Sequence, residues 1–204
     1  MANRKLSKAS PVDYAIPSNL KSYFSSIQLG MNSVEASHVN EFIGLLKNLS
    51  AKKSIFLIGN GGSASIASHF AVDLERSFRL IGKNSKIISL TDSASSISAI
   101  SNDFSFVESY SSIIQRQGSK GDLLVVISSS GNSTNLVRTV SVAKEIGVQS
   151  IGLLGFEGGL LLDLVDVPIL VKTEPGAYPV AEDIHSSICH FVSWSLRGGI
   201  HFKK

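Results

Sequence analysis

Apolar residues follow two different rhythms along this chain. From residue 18 to about residue 50 they recur at helical spacing: Leu20, Tyr23, Phe24 and Ile27, then Val34, Phe42, Ile43, Leu45, Leu46 and Leu49. Positions three and four apart share one face of a helix, so the pattern predicts two amphipathic helices broken near residues 30–33. Beyond residue 50 the rhythm changes to unbroken apolar runs at 54–58, 86–90, 122–127, 149–154 and 167–171. The first four lead into helical or turn-rich segments. Strands buried on both faces read this way, because neither face meets water, so the runs predict a parallel sheet covered by helices on both sides. A last helical stripe of Ile184, Ile188, Phe191, Val192 and Leu196 predicts a helix over 181–196. The expected fold is one open five-stranded parallel α/β domain of flavodoxin-like topology over residues 17–198, with an N-terminal helix pair at 17–51. Residues 1–16 and 199–204 are expected to be tails.

Composition sharpens this picture. Of 204 residues 43% are apolar, which supports a large core and excludes a disordered chain, while only 17% are charged. That share lies below the ~25% of an average soluble protein. It points to a doubly covered sheet or to surface lost in an oligomer. The net charge is +3 and the pI about 9.0, but Arg4, Lys5, Lys8, Lys203 and Lys204 sit at the ends. Subtracting those five from +3 leaves −2 for the body, so a nucleic-acid groove is not expected. The most apolar stretch, 152–171, contains Glu157, Asp163, Asp166 and four glycines, so no membrane span is expected. A lone Cys189 allows no internal disulfide, and the N-terminus lacks a signal-like apolar run; a cytoplasmic protein is the expectation.

Two strand-to-helix loops carry candidate chemistry. The first, Gly59-Asn60-Gly61-Gly62-Ser63-Ala64, lets the backbone approach an anion at a helix N-terminus. It also scores as a dinucleotide fingerprint, with Ala64 for the third glycine and Asp92 as the acidic residue. The second, Ser128-Ser129-Ser130-Gly131-Asn132-Ser133, surrounds the start of a helix with hydroxyls. These can hold a phosphate without lysine and donate to sugar oxygens, whereas no Walker-type GxxxxGK[ST] occurs. Among 36 serines, most fill turns, so a structural role for this loop also stands.

The two loops together resemble those of the sugar isomerase (SIS) domain family, and within it the phosphoheptose isomerases. His69-Phe70-Ala71, Asn102-Asp103-Phe104, Gly155-Phe156-Glu157-Gly158-Gly159 and Asp183-Ile184-His185 with His190 extend the resemblance over roughly residues 20–197. It implies that Ser128, Ser129, Ser130 and Ser133 hold a sugar phosphate, and that Asn60, Gly61, Gly62, Ser63, Asn102 and Asp103 line the sugar. It further implies a homotetramer with sites at subunit interfaces. The implied reaction is aldose–ketose isomerisation of sedoheptulose 7-phosphate, or of a related sugar phosphate, through a metal-polarised enediol. The alternatives are a catalytically silent SIS module that binds a sugar phosphate or a protein, and a flavodoxin-like nucleotide-binding protein.

Helical spacing adds a metal question. His69 and Asp73 are four residues apart, within about 40° on one helix face, and Glu182 and His190 are about 80° apart on another. Two imidazoles and two carboxylates suit zinc, although an i, i+4 His–Asp pair is also a common surface feature. In phosphoheptose isomerases the matching positions carry His, Glu, Gln and His and bind zinc. The resemblance therefore implies one Zn²⁺ on His69, Asp73, Glu182 and His190, with Asp73 as base and His190 as proton relay. This chain departs at Asp73 and Glu182, and at Pro179-Val180-Ala181, where the family is more polar. Asp73 and Glu182 would also touch the substrate. His185 is either an alternative relay or a buried structural histidine.

Overall fold

A computed structural model describes residues 17–198; the expected tails at 1–16 and 199–204 lie outside the described residues. Five strands form one parallel sheet: β1 (Ser54–Gly59), β2 (Lys86–Ser89), β3 (Leu123–Ser128), β4 (Gln149–Leu154) and β5 (Val167–Leu170). Their order is β2-β1-β3-β4-β5, the expected flavodoxin-like topology, and all pairs are parallel as the apolar runs predict. Central β3 is buried at every position, while β2 and β5 form the edges. Pro168 in β5 can donate no ladder bond, which an edge strand tolerates.

The two-residue period of the strands divides the core. Ile55, Leu57, Val125 and Ile127 face one layer with helices α1 (Leu20–Asn32), α2 (Ala36–Asn48), α3 (Gly62–Leu80) and α7 (Tyr178–Arg197). Phe42, Leu46, Phe70, Leu74, Ile184 and Val192 fill that layer. Phe56, Ile58, Leu124 and Val126 face the other, against α4 (Ala94–Asp103), α5 (Ser111–Gln117) and α6 (Thr134–Glu145). Both sheet faces are thus dry, which accounts for strands without alternation. No helix among the described residues is long and apolar enough to cross a membrane.

Two helix boundaries differ from the periodicity. Gly30 lies inside α1 rather than in the break. A Cβ there would come within 2.6 Å of Ile184 Cδ1, so the glycine lets α1 approach α7 closely. The break falls after Asn32, where the Ser33 hydroxyl donates to the Gly30 carbonyl at 2.7 Å. Helix α7 starts at Tyr178, three residues before the expected start at 181, and Pro179 sits in its first turn where no backbone donor is required. Helices α3 and α7 run alongside each other, joined where the Ser77 hydroxyl donates to the Ser193 carbonyl at 3.0 Å. The Tyr23 hydroxyl donates to Asp183 at 2.7 Å and ties α1 to α7.

At the amino ends of the strands, buried Asp122 accepts the N–H of Ser54 at 3.0 Å and of Ser119 at 2.8 Å. It joins the starts of β1 and β3. Asp122→Ala strands both donors and is expected to lower stability by about 3 kcal/mol in urea unfolding. A loss below about 1 kcal/mol would mean that water replaces the carboxylate there.

Candidate active site

Chemistry-bearing loops meet at the carboxyl end of the sheet, where open parallel sheets bind ligands. After β3 the chain runs through Ser129–Ser133 and enters α6, with Ser133 as N-cap. The Ser133 side chain makes no capping bond, so its hydroxyl is not spent on the helix. Gly131 takes a positive φ of 64°, turning the loop so that its N–H reaches Ser128 Oγ at 3.1 Å. Ser129 Oγ is buried and has no hydrogen-bond partner. An orphaned buried hydroxyl costs stability unless something accepts or supplies a hydrogen bond.

Glycine-rich 59–62 lies beside it. Gly61 caps α3 with φ 55°. The side chains of Asn60 and Asn135 exchange two hydrogen bonds, at 2.9 and 3.0 Å, and lock the glycine loop to α6. Asn60 is thus committed to Asn135 while still lining the cavity that results. That cavity, about 150 Å³, is bounded by Asn60, Ser63, Ser128, Ser129, Ser130, Ser133, Tyr178 and Glu182. It contains hydroxyls and one carboxylate but no cationic side chain. Glu182 reaches it because Gly62 has no side chain; a Cβ there would lie 2.3 Å from Glu182 Oε2. Burial, with Asp183 next to it in sequence, pushes the Glu182 carboxyl above its usual range.

Further along the same helix pair, His69 and Asp73 of α3 meet His190 of α7. Asp73 Oδ2 is 3.9 Å from Nε2 of each histidine, and the two imidazole centroids are 5.1 Å apart. One ligand atom from each residue lies within 4.8 Å of the others. Two imidazole nitrogens and one carboxylate oxygen, in a groove with the histidines more than half exposed, form a donor set that fits zinc with an open position. The expected fourth ligand, Glu182, does not join this group. Two turns of α7 separate it from His190, and its carboxylate occupies the space over Gly62.

Other expected positions are scattered. Asn102 and Asp103 end α4, bond to each other at 2.9 Å and lie outside the cavity lining. Gly61 and Gly62 shape the loop by backbone alone. Tyr178 lines the cavity although nothing in its spacing marks it; the available signal is an aromatic residue opening the helix that carries Glu182 one turn later.

His185 is fully buried, and neither ring nitrogen has a hydrogen-bond partner of good geometry, the Leu154 backbone being the nearest polar influence. Burial pushes its pKa from 6.5 down to about 4, with a small opposing pull from the Leu154 backbone. This matches a buried neutral histidine better than a solvent-linked relay.

Comparison with known proteins follows this geometry. A family model described as SIS domain matches residues 22–155. A phosphoheptose isomerase of Helicobacter pylori strain P12 is 34% identical over 148 residues, 72% of this chain and 76% of its own. A phosphoheptose isomerase of Clostridium acetobutylicum is 38% identical over 140 residues, 69% of this chain and 70% of its own. Among solved structures, a phosphoheptose isomerase from Neisseria gonorrhoeae superposes with TM-score 0.75 at 27% identity, covering 87% of this chain and 94% of that one. One from Francisella tularensis gives 0.76 at 25%, covering 88% and 96%.

The buried imidazole sets a pH dependence. Between about pH 4 and 6.5 the unfolded chain binds a proton at His185 that the folded chain does not, so stability rises with pH there. The contribution is complete above 6.5 and is lost as pH falls toward 4. The melting temperature is expected to drop over that window, and His185→Leu to flatten the drop. A variant with the same pH profile as the parent would show that the histidine is not held neutral.

Proposed function

For a chain that belongs to the SIS domain family, in its phosphoheptose isomerase group, we propose aldose–ketose isomerisation of a sugar phosphate, with sedoheptulose 7-phosphate as substrate. The observation that carries this reading is the cavity lined by Ser63, Ser128, Ser129, Ser130 and Ser133 beside the start of α6. Backbone N–H groups at a helix start and neutral hydroxyls together suit a phosphate. Roughly two to three helical turns along α3, about 10 to 16 Å from Gly62, stands the His69–Asp73–His190 group.

His69, Asp73 and His190 would hold a zinc ion, which supplies Lewis-acid polarisation of a carbonyl when bound. The side chains themselves move the protons. Asp73 takes a proton from C1 of the ketose, and the electron pair left behind forms the C1–C2 double bond of an enediol. The proton held by Asp73 passes by way of His190 to C2, and the hydroxyl proton passes from O1 to O2, leaving the aldose and both side chains as they began. Asp73 Oδ2 faces both imidazoles, so the base role falls to Oδ1. Glu182, with Ser63, is assigned to the sugar hydroxyls rather than to the ion.

Leu20, Phe24, Leu29 and Met31 of α1, Val72 of α3, and Phe191 and Trp194 of α7 are exposed apolar residues. They support a homotetramer that covers these faces, with sites near subunit interfaces. A cytoplasmic location accompanies this reading.

Metal analysis of the purified protein, joined to an NMR assay on sedoheptulose 7-phosphate, tests the proposal. The expected result is about one zinc per chain and turnover that is lost on chelation and restored by zinc. Ser130→Ala is expected to weaken sugar-phosphate binding about tenfold without unfolding the protein. Absence of both metal and turnover would leave a binding module and refute the isomerase.

A further inference from the structure

The groove that holds His69, Asp73 and His190 is lined by one cationic side chain with no role so far. Its volume is about 590 Å³, and beyond the histidines it is lined by Phe191, Trp194 and Arg197 of α7. Arg197 follows His190 by seven residues, which returns it to within about 20° of the same helix face, about 10 Å further along the axis. Helical side chains lean toward the N-terminus, and this one closes part of that distance. Arg197 Nε donates to the Ser193 carbonyl at 3.2 Å, one turn nearer His190. That bond uses one of the five guanidinium N–H groups. Among the described residues no carboxylate lies within ion-pair distance of Arg197, although the side chain is partly buried. Asp73 is the one acidic residue lining the groove, and its Oδ2 faces the two imidazoles. A partly buried guanidinium with unspent donors thus lines the groove in which the proposed reaction occurs.

We propose that Arg197 is a catalytic residue: its guanidinium hydrogen-bonds O1 and O2 of the sugar and stabilises the enediolate. The inference rests on the isomerase reading above, with Asp73 as base. When Asp73 takes the C1 proton, the C–H electron pair becomes the C1–C2 double bond and the carbonyl pair moves onto O2. The carboxylate becomes neutral as the sugar oxygens become negative, so one negative charge moves from Asp73 to the ligand. A guanidinium is planar and offers two parallel donors, which suits two adjacent oxygens sharing that charge. It gains little from the neutral ketose and much from the anion, and only that difference accelerates a reaction. Arg197 does not line the serine cavity, so phosphate affinity is independent of it.

Binding and turnover by the full chain test this. After chelation of metal, calorimetry compares a seven-carbon aldonate 7-phosphate, with a carboxylate at C1, to the corresponding alditol phosphate, which is neutral there. The parent is expected to bind the aldonate about tenfold more tightly. Arg197→Gln is expected to bring that ratio to about one and to leave inorganic phosphate affinity within about twofold. With zinc restored, Arg197→Gln is expected to lower kcat about 100-fold with KM within about threefold. Added guanidinium ion is expected to recover part of the kcat lost in Arg197→Ala. An unchanged ratio or an unchanged kcat in Arg197→Gln overturns the inference alone. A loss of inorganic phosphate affinity in that variant also overturns it, because the guanidinium would then hold the phosphate. A parent that binds phosphate but turns over no sugar phosphate overturns the isomerase reading, and the inference with it.

Discussion

Backbone meets backbone behind the serine loop, and the site depends on that contact. A Cβ on Gly131 would lie 1.7 Å from the Gly158 carbonyl oxygen, and one on Gly159 would lie 2.4 Å from that of Ser130. No side chain fits between the two loops. Their polar groups are joined directly: Leu161 N–H donates to the Gly131 carbonyl at 3.0 Å, and Leu160 N–H to Asn132 Oδ1 at 2.9 Å. Gly155 N–H adds a bond to the Ser128 carbonyl at 3.2 Å. The rear of the loop is thereby satisfied by residues 155–161. What remains for a ligand are the hydroxyls and the free N–H groups at the start of α6.

The same packing links the two halves of the proposed site. Asn60 and Asn135 fasten the glycine loop to α6, and the Ser77–Ser193 bond fixes where α7 lies along α3. That register decides which residues meet. It brings Glu182 to Gly62 beside the serine loop and His190 to Asp73 further along, so the carboxylates belong to separate places.

Much of this was legible in the sequence, for physical reasons. A doubly buried parallel sheet leaves unbroken apolar runs, and tight strand-to-helix turns demand glycine and serine, so strands and loops announce themselves. Contacts between elements do not. Spacing placed Glu182 and His190 on one broad face of α7, but gave no way to see that the missing Cβ of Gly62 would draw the carboxylate toward the cavity. Gly30 resembled a helix break because its packing against Ile184 is set by a residue 154 positions away in sequence. Tyr178 lies outside the apolar stripe of α7, and its place depends on packing against Phe156, whose positive φ no local pattern encodes. Asn102 and Asp103 carried a resemblance, but α4 sets them outside the cavity lining of this chain.

At the centre of this account is a phosphate held by neutral donors. The cavity offers hydroxyls and a helix N-terminus, and without the five basic residues at the chain ends the net charge of the chain falls from +3 to −2. Attraction between exposed ions is screened by salt, whereas short hydrogen bonds from buried hydroxyls and backbone groups are screened far less. The most direct measurement is the dissociation constant of sedoheptulose 7-phosphate as sodium chloride is raised from low to high concentration at fixed pH. The account predicts a change within about threefold across the series. A weakening of about tenfold or more would contradict it and place the phosphate on lysine or arginine instead.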